Sequence, residues 1–274
     1  MEMVLPAHFS KMYGHGNDFI VVRESEDAFP DDWSEKAVRW CRRRTGIGAD
    51  GLLVLGPARS ADFSMRIFNS DGSEADMCGN GARCIARFAF EEGIAASPMK
   101  FKTPAGVIEA TVDGSRAAIR LTDPAGLKGE VVTVGGEQYP LYTINTGVPH
   151  AILFTDGVFH LADDLLHERG RAIRFHDAFA PAGTNVDFVE VAGSGRIRVR
   201  TYERGVEAET PACGTGAAAS ALISSLYAEV GAPPIEVQMP GGILSVDFRR
   251  SGDRFTDVWL SGDVYWVCRG EILD

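Results

Sequence analysis

The chain has 274 residues, 45% of them hydrophobic and 24% charged, the proportions of an ordinary folded protein with one large or two average domains. That excludes a disordered tail, a collagen-like repeat and a coiled coil. Its 27 Lys and Arg against 38 Asp and Glu give a formal charge of −11, without the basic footprint that nucleic acid or anionic lipid requires, so neither is an expected partner.

Residues 1–6 show no basic segment leading into an apolar run, so no signal peptide is expected. Phe19-Ile20-Val21-Val22 reads as a strand. A helix is predicted over about 31–44: Asp31 follows Pro30, Trp33, Ala37, Trp40 and Cys41 form one stripe, and three arginines precede Gly46. Strands follow at 51–55 and 63–68, then a helix from about 81 to 93 and a strand at 107–111. The Pro/Gly-rich stretch Thr122-Asp123-Pro124-Ala125-Gly126-Leu127 marks the expected hinge between a first domain, 1–123, and a second, 124–263. The tail, 264–274, is expected to return to the first. The second domain holds a predicted helix over about 161–171 and strands at 197–202 and 244–248. Between those strands a helix runs from about 216 and stops before Gly231 and Pro233-Pro234. It carries no charge on any face, so it must be enclosed, and a curved or closed sheet around it is the expected solution. No apolar window is long enough to span a bilayer.

The five cysteines are Cys41, Cys78, Cys84, Cys213 and Cys268. An odd, sparse set argues for a reducing compartment and a cytoplasmic location. There is no C-x-x-C and no H-E-x-x-H, so no metal site is expected. Two of the cysteines recur in one context. Arg66-Ile67-Phe68-Asn69 leads into Cys78-Gly79-Asn80-Gly81-Ala82, and Arg200-Thr201-Tyr202-Glu203 leads into Cys213-Gly214-Thr215-Gly216-Ala217. The two cysteines are 213 − 78 = 135 residues apart, close to half the chain, so one domain type is read as occurring twice.

Each of these cysteines stands just before glycines that open a helix. Unpaired amides and the positive end of the helix dipole favour an anion there. Two consequences are expected: the thiol pKa falls toward neutrality, and the amides of Gly79-Asn80 and Gly214-Thr215 hold a carboxylate or phosphate. Two such sites facing one substrate would give a racemase its two bases. A single Cys-Gly before a helix is commonly just a small core residue at a tight turn; its recurrence is what points to chemistry. Gly14-His15-Gly16-Asn17-Asp18 lacks the third glycine of a dinucleotide loop, and no G-x-S-x-G offers a serine nucleophile.

Lys11-Met12-Tyr13-Gly14-His15-Gly16-Asn17-Asp18-Phe19, Phe68-Asn69-Ser70-Asp71-Gly72-Ser73 and Cys78-Gly79-Asn80-Gly81-Ala82-Arg83-Cys84 resemble the signatures of the diaminopimelate epimerase family. So do Gly183-Thr184-Asn185-Val186-Asp187-Phe188, Arg200 to Gly205 and Ala212-Cys213-Gly214-Thr215-Gly216, collinear over nearly the whole chain. The resemblance implies an α/β (α+β) fold of two similar, pseudo-symmetric halves. Each is a barrel-like, mostly antiparallel sheet around a central helix, with the active site in the cleft between them. It implies cofactor-independent epimerisation of LL-diaminopimelate to the meso form, on the way to lysine and peptidoglycan, with no metal and commonly as a homodimer.

Carried over motif by motif, Cys78 and Cys213 are the acid/base pair. Gly79, Asn80, Gly214 and Thr215 bind the reacting carboxylate. Asn17, Asn69, Asn185, Glu203 and Arg204 hold the distal amino-acid end, Arg204 as a bidentate carboxylate ligand. His150 and Glu203 tune the cysteines. Outside the resemblance, Asn17 and Asn69 read as turn residues, Arg204 as a surface charge and His150 as a core histidine. Val148 and Gly51 depart from the residues many members carry there, Asn and Gln. They motivate the alternative of a racemase for another amino acid. A thiol redox protein and a small-acid binder are the alternatives from other classes.

Overall fold

A computed structural model of the protein describes residues 7–24 and 32–272. The predicted helix start at Asp31, residues 1–6 and the end of the tail at 273–274 lie outside the described residues. The chain divides into two compact units, one made of residues up to Ile119 and from Ser261 onward, the other of Arg120–Leu260. The boundaries read from the sequence stand four and three residues further along the chain.

The first unit contains strands β1 (Ala7–Gly14), β2 (Asn17–Arg23), β3 (Gly51–Gly56), β4 (Phe63–Asn69), β5 (Glu74–Ala75), β6 (Met99–Thr103), β7 (Gly106–Asp113) and β8 (Arg116–Arg120). Its helices are α1 (Trp33–Trp40) and α2 (Gly79–Glu91). The second contains β9 (Ala125–Val134), β10 (Glu137–Asn145), β11 (Pro149–Phe154), β12 (Asn185–Gly193), β13 (Arg196–Glu203), β14 (Ala208–Thr210), β15 (Ile235–Met239) and β16 (Gly242–Ser251), with helices α3 (Asp163–Arg174) and α4 (Gly214–Tyr227). β17 (Arg254–Asp263) carries the chain back into the first unit, where β18 (Tyr265–Ile272) closes it.

The two units use one pairing scheme. In the first, β18, β1 and β2 pair antiparallel in turn, β2 and β3 parallel, β3 and β4 antiparallel, β4 and β6 parallel, and β6 and β7 antiparallel, with β5 added to β4. In the second, β9, β10 and β11 pair antiparallel in turn. β11 and β12 pair parallel, β12 and β13 antiparallel, β13 and β15 parallel, and β15 and β16 antiparallel, with β14 added to β13. The expected duplication is thus present strand by strand.

Each sheet is covered on both faces, which is why its central strands read as continuous apolar runs rather than alternating ones. All six residues of β3 are buried. Ile20, Val22, Leu52, Val54 and Phe68 pack against Trp33, Ala37 and Trp40 of α1. On the other face α2 touches β1, β2, β3, β4 and β7, so the ladder curves around it. In the second unit Ala151, Leu153, Val186, Phe188 and Tyr202 pack with Leu166 and Ile173 of α3. There α4 is enclosed by β10, β11, β12, β13, β15 and β16, and every residue from Gly216 to Ser224 is buried. The uncharged helix therefore sits where its composition requires.

The first predicted helix is shorter than expected, ending at Trp40 rather than 44. The chain folds back instead: the amides of Gly48 and Ala49 donate to the carbonyls of Trp40 and Cys41 at 3.0 Å each, and Arg44 takes a φ of +78°. The last turn's carbonyls are satisfied by the loop, not by further helix. The other three helices begin and end within three residues of the predicted points, apart from α4, whose last residue is Tyr227. Among the described residues no helix is long and apolar enough to cross a membrane.

Candidate active site

Both repeated turns place their cysteine as the N-cap of a helix, with extended backbone: φ −142°, ψ 121° at Cys78 and φ −116°, ψ 109° at Cys213. Gly79-Asn80 and Gly214-Thr215 are then the first helical residues, whose amides have no intrahelical acceptor. Cys78 is half-buried, and its Sγ accepts from the Gly81 amide at 3.5 Å.

In the first unit the polar groups converge on this helix start. Asn80 Nδ2 donates to Asn17 Oδ1 at 2.7 Å, and Asn17 Nδ2 donates to Asp50 Oδ2 at 3.1 Å. Asp50 also accepts from the Asp18 amide at 3.2 Å and the Arg43 guanidinium at 2.9 Å, while its carbonyl accepts from the Ser70 amide at 3.2 Å. Asn69 ends β4 opposite Gly51 and donates through Nδ2 to Ser73 Oγ at 3.0 Å. It closes an exposed turn in the way the turn reading anticipates. Asn17 and Asn80 are brought together at the helix start that Cys78 caps; Asn69 bonds Ser73 instead, and it is its neighbour Ser70 that reaches the Asp50 carbonyl.

The second unit builds a different shell around the same turn. Cys213 is buried, and its Sγ lies 3.5 Å from Thr215 Oγ1. Thr215 Oγ1 is 3.0 Å from His150 Nε2, and His150 Nδ1 is 2.7 Å from Asp187 Oδ2. Asp187 Oδ1 accepts from the Thr201 hydroxyl at 2.7 Å. His150 and Asp187 are both fully buried. A carboxylate only accepts, so the neutral ring carries its proton on Nδ1 and leaves Nε2 to accept from Thr215. The Thr215 oxygen is then free to accept from the thiol, giving a chain Cys213–Thr215–His150–Asp187.

Asn185 stands beside His150 in the parallel β11–β12 pair. Its Nδ2 donates to the Pro149 carbonyl at 3.2 Å, and its Oδ1 accepts from the Arg204 amide at 2.8 Å. The Arg204 guanidinium donates to the Ala182 carbonyl at 3.2 Å. Glu203 accepts from Thr210 Oγ1 at 2.6 Å. Asn145, next to the Val148 departure, has its side-chain oxygen engaged by the Gly147 amide at 2.9 Å.

One expectation is corrected. Cys213 does not have a thiol drawn down toward neutrality: burial pushes it well up, and the carboxylates of Glu203 and Asp187 add to that. The Thr215 hydroxyl and the Gly216 amide act the other way and are outweighed. A helix end lowers a thiol pKa only where the sulfur also keeps some access to water. Burial also pushes the Cys41 and Cys84 thiols up, each to about 12.

Asp187, Thr201, Asp50 and Arg83 had no role among the expected site residues. Two of these leave a trace in the pattern. Asp187 interrupts the apolar strand Val186-Asp187-Phe188-Val189, and Arg83 interrupts the apolar start of α2. A charge inside an apolar period is either an error of assignment or a buried functional group. Among the described residues no group of three His, Cys, Asp or Glu side chains is arranged to hold a metal ion.

Comparison with known proteins matches residues 9–127 and 142–267 to the family described as diaminopimelate epimerase. The diaminopimelate epimerase of Aquifex aeolicus is 42% identical over 278 residues, covering 97% of this chain and 98% of that protein. That of Caldanaerobacter subterraneus is 41% identical, covering 96% and 98%. Among solved structures, a PhzF-family phenazine biosynthesis protein of Bacillus anthracis aligns with a TM-score of 0.73 at 15% identity, covering 98% of this chain and 100% of that one. A hydroxyproline epimerase of Agrobacterium vitis aligns with a TM-score of 0.68 at 15% identity, covering 99% and 94%. These two share the mixed α+β fold of two similar halves.

Proposed function

Because the chain belongs to the diaminopimelate epimerase family, and so to the isomerases, we propose that it epimerises LL-diaminopimelate to the meso form by two-base proton transfer between Cys78 and Cys213. The observation that carries this reading is the pair of cysteine N-caps, one per unit, on otherwise repeated strand–turn–helix motifs. One thiolate removes the α-proton and the other thiol delivers a proton to the opposite face.

An amino acid's α-proton is very weakly acidic, so the site must stabilise the charge that develops on the carboxylate. The unpaired amides of Gly79-Asn80 and Gly214-Thr215 are donors of that kind, each worth about 3 kcal/mol in the transition state. Asn17, Asn69, Asn185, Glu203 and Arg204 hold the distal amino-acid end. His150 and Glu203 govern the protonation of Cys213, His150 through Thr215 at 3.0 Å. No organic cofactor takes part in this reading. The product would feed lysine and peptidoglycan synthesis, and we read the working form as a cytoplasmic homodimer, a state that light scattering measures.

The test is exchange of the substrate α-hydrogen with solvent deuterium, followed with the stereochemistry of the product. LL-Diaminopimelate is expected to exchange and yield the meso form; glutamate, proline and histidine are not. Exchange on one of those three and none on diaminopimelate would move the chain to the racemase alternative that Val148 and Gly51 motivate. No exchange on any of them would leave the redox and binding readings.

A further inference from the structure

Arg83 lies in the second turn of α2 and is fully buried. Its Nη2 donates to Asn80 Oδ1 at 2.5 Å and lies 3.3 Å from His15 Nδ1. Its Nε and Nη1 have no hydrogen-bond acceptor among the described residues. Among the described residues no carboxylate hydrogen-bonds this guanidinium. Burial pulls it down to about 10, which still leaves it protonated at neutral pH.

A buried cation without a paired carboxylate is costly, and an anion forming beside it lowers that cost. Two thiols lie within electrostatic reach, Cys84 and Cys78. Cys84 is fully buried, with a thiol pushed up to about 12 by that burial, so it stays neutral. Cys78 is half-buried at the helix N-cap, with the Gly81 amide on its sulfur. It is the group that can supply the negative charge. Other ionisable groups around this corner, among the described residues, include His15 from the β1–β2 turn, Asp50 through Asn17, and Arg87 one turn along α2.

The second unit has no counterpart. The 135-residue offset that relates the cysteines takes position 83 to Ala218, which is fully buried and apolar. The charges near Cys213 are instead the carboxylates of Glu203 and Asp187. One cysteine has a buried cation behind it and the other has anions.

We propose that Arg83 is a positioning residue that holds Cys78 as the thiolate in the resting protein, through its buried charge and its bond to Asn80, while Cys213 rests as the thiol. The proposal rests on the two-cysteine reading above and assigns the order of events within it. The Cys78 thiolate takes the α-proton and the Cys213 thiol gives up its own. Loss of one proton from Cys78 to water and gain of one from water at Cys213 then restore the starting state.

The experiment is alkylation of the full-length reduced protein by iodoacetamide without substrate, with the rate at each cysteine followed by peptide mapping across pH. The wild type is expected to show a Cys78 midpoint below that of an ordinary thiol, about 8.5, and a Cys213 midpoint above it. Arg83→Met should raise the Cys78 midpoint by a unit or more, slowing its alkylation about tenfold at neutral pH, and leave Cys213 unmoved. Arg83→Lys keeps the charge and should hold the Cys78 midpoint within about half a unit of the wild type. A Cys78 midpoint above that of Cys213 in the wild type overturns the proposal. So does an unmoved midpoint in folded Arg83→Met, or a shift in Arg83→Lys as large as in Arg83→Met. If Arg83→Met fails to fold by circular dichroism, the wild-type order and the lysine variant still decide. Because no substrate is present, a chain that epimerised nothing would still report its thiol midpoints, so the two readings fail separately.

Discussion

At the level of single residues, the two N-cap cysteines hold the same position in different surroundings. If both are acid/base groups, Cys78→Ser and Cys213→Ser should each lower the epimerisation rate by about 10²–10⁴-fold. Either variant keeping a tenth of the wild-type rate contradicts two-base chemistry. Asp187 fixes the His150 tautomer from 2.7 Å inside the core. Asp187→Asn should therefore leave the fold intact while lowering kcat by tenfold or more, since an amide can present N–H to the ring and reverse which nitrogen accepts. A wild-type kcat in that variant would remove His150 from the proton path. The cysteines were legible because a thiol followed by glycines at a helix start is recognisable in one dimension. Asp187 and Arg83 were not, because their meaning depends on burial and on partners far away in sequence, His150 for one and His15 for the other.

At the level of elements, the start of α4 is set by a close approach. A Cβ on Gly216 would stand 2.5 Å from Asp187 Oδ1 and 3.2 Å from Thr201 Oγ1. Gly216→Ala should push the helix start off β12 and β13, costing about 1–3 kcal/mol in denaturant unfolding and lowering activity out of proportion to that loss. An alanine variant of unchanged stability and rate would show that the turn has slack. The β1–β2 turn that carries Asn17 is held by Asp18, which pairs with Lys11 and Arg43 at 2.9 Å each. Burial works to raise the Asp18 pKa, but the hydrogen bonds and charges of Arg43 and Lys11 outweigh it and hold the carboxyl below its ordinary value. A depressed folded pKa stabilises above the unfolded value, near 3.9, and that contribution is lost as pH falls through the folded value. Asp18→Asn should cost about 2 kcal/mol at neutral pH and flatten the loss of stability below about pH 4. Urea titrations at several pH values check this, and an unaltered pH dependence in the variant would place the acid sensitivity elsewhere.

For the whole molecule, the proposed reaction requires one thiol from each unit at a single carbon. Oxidation without substrate should therefore link Cys78 to Cys213, abolish activity, remove two of five titratable thiols and be reversed by dithiothreitol, with bound substrate protecting. Peptide mapping that found Cys78 joined to Cys84 would refute the facing arrangement. Much about this protein was determined by its sequence alone. Apolar runs specify strands covered on both faces, an uncharged helix specifies its own enclosure, and a motif repeated 135 residues apart specifies two similar halves. These are properties of local pattern, and local pattern survives without coordinates. Tertiary structure alone decided how charge is distributed around the two equivalent turns: Arg83 behind one sulfur, His150, Asp187 and Glu203 around the other. Burial and Coulomb interactions act through space, between groups as far apart in sequence as His15 and Arg83 or His150 and Thr215. That is why a helix end by itself does not lower the Cys213 thiol, and why the inequality of the two cysteines emerges only once the chain is folded.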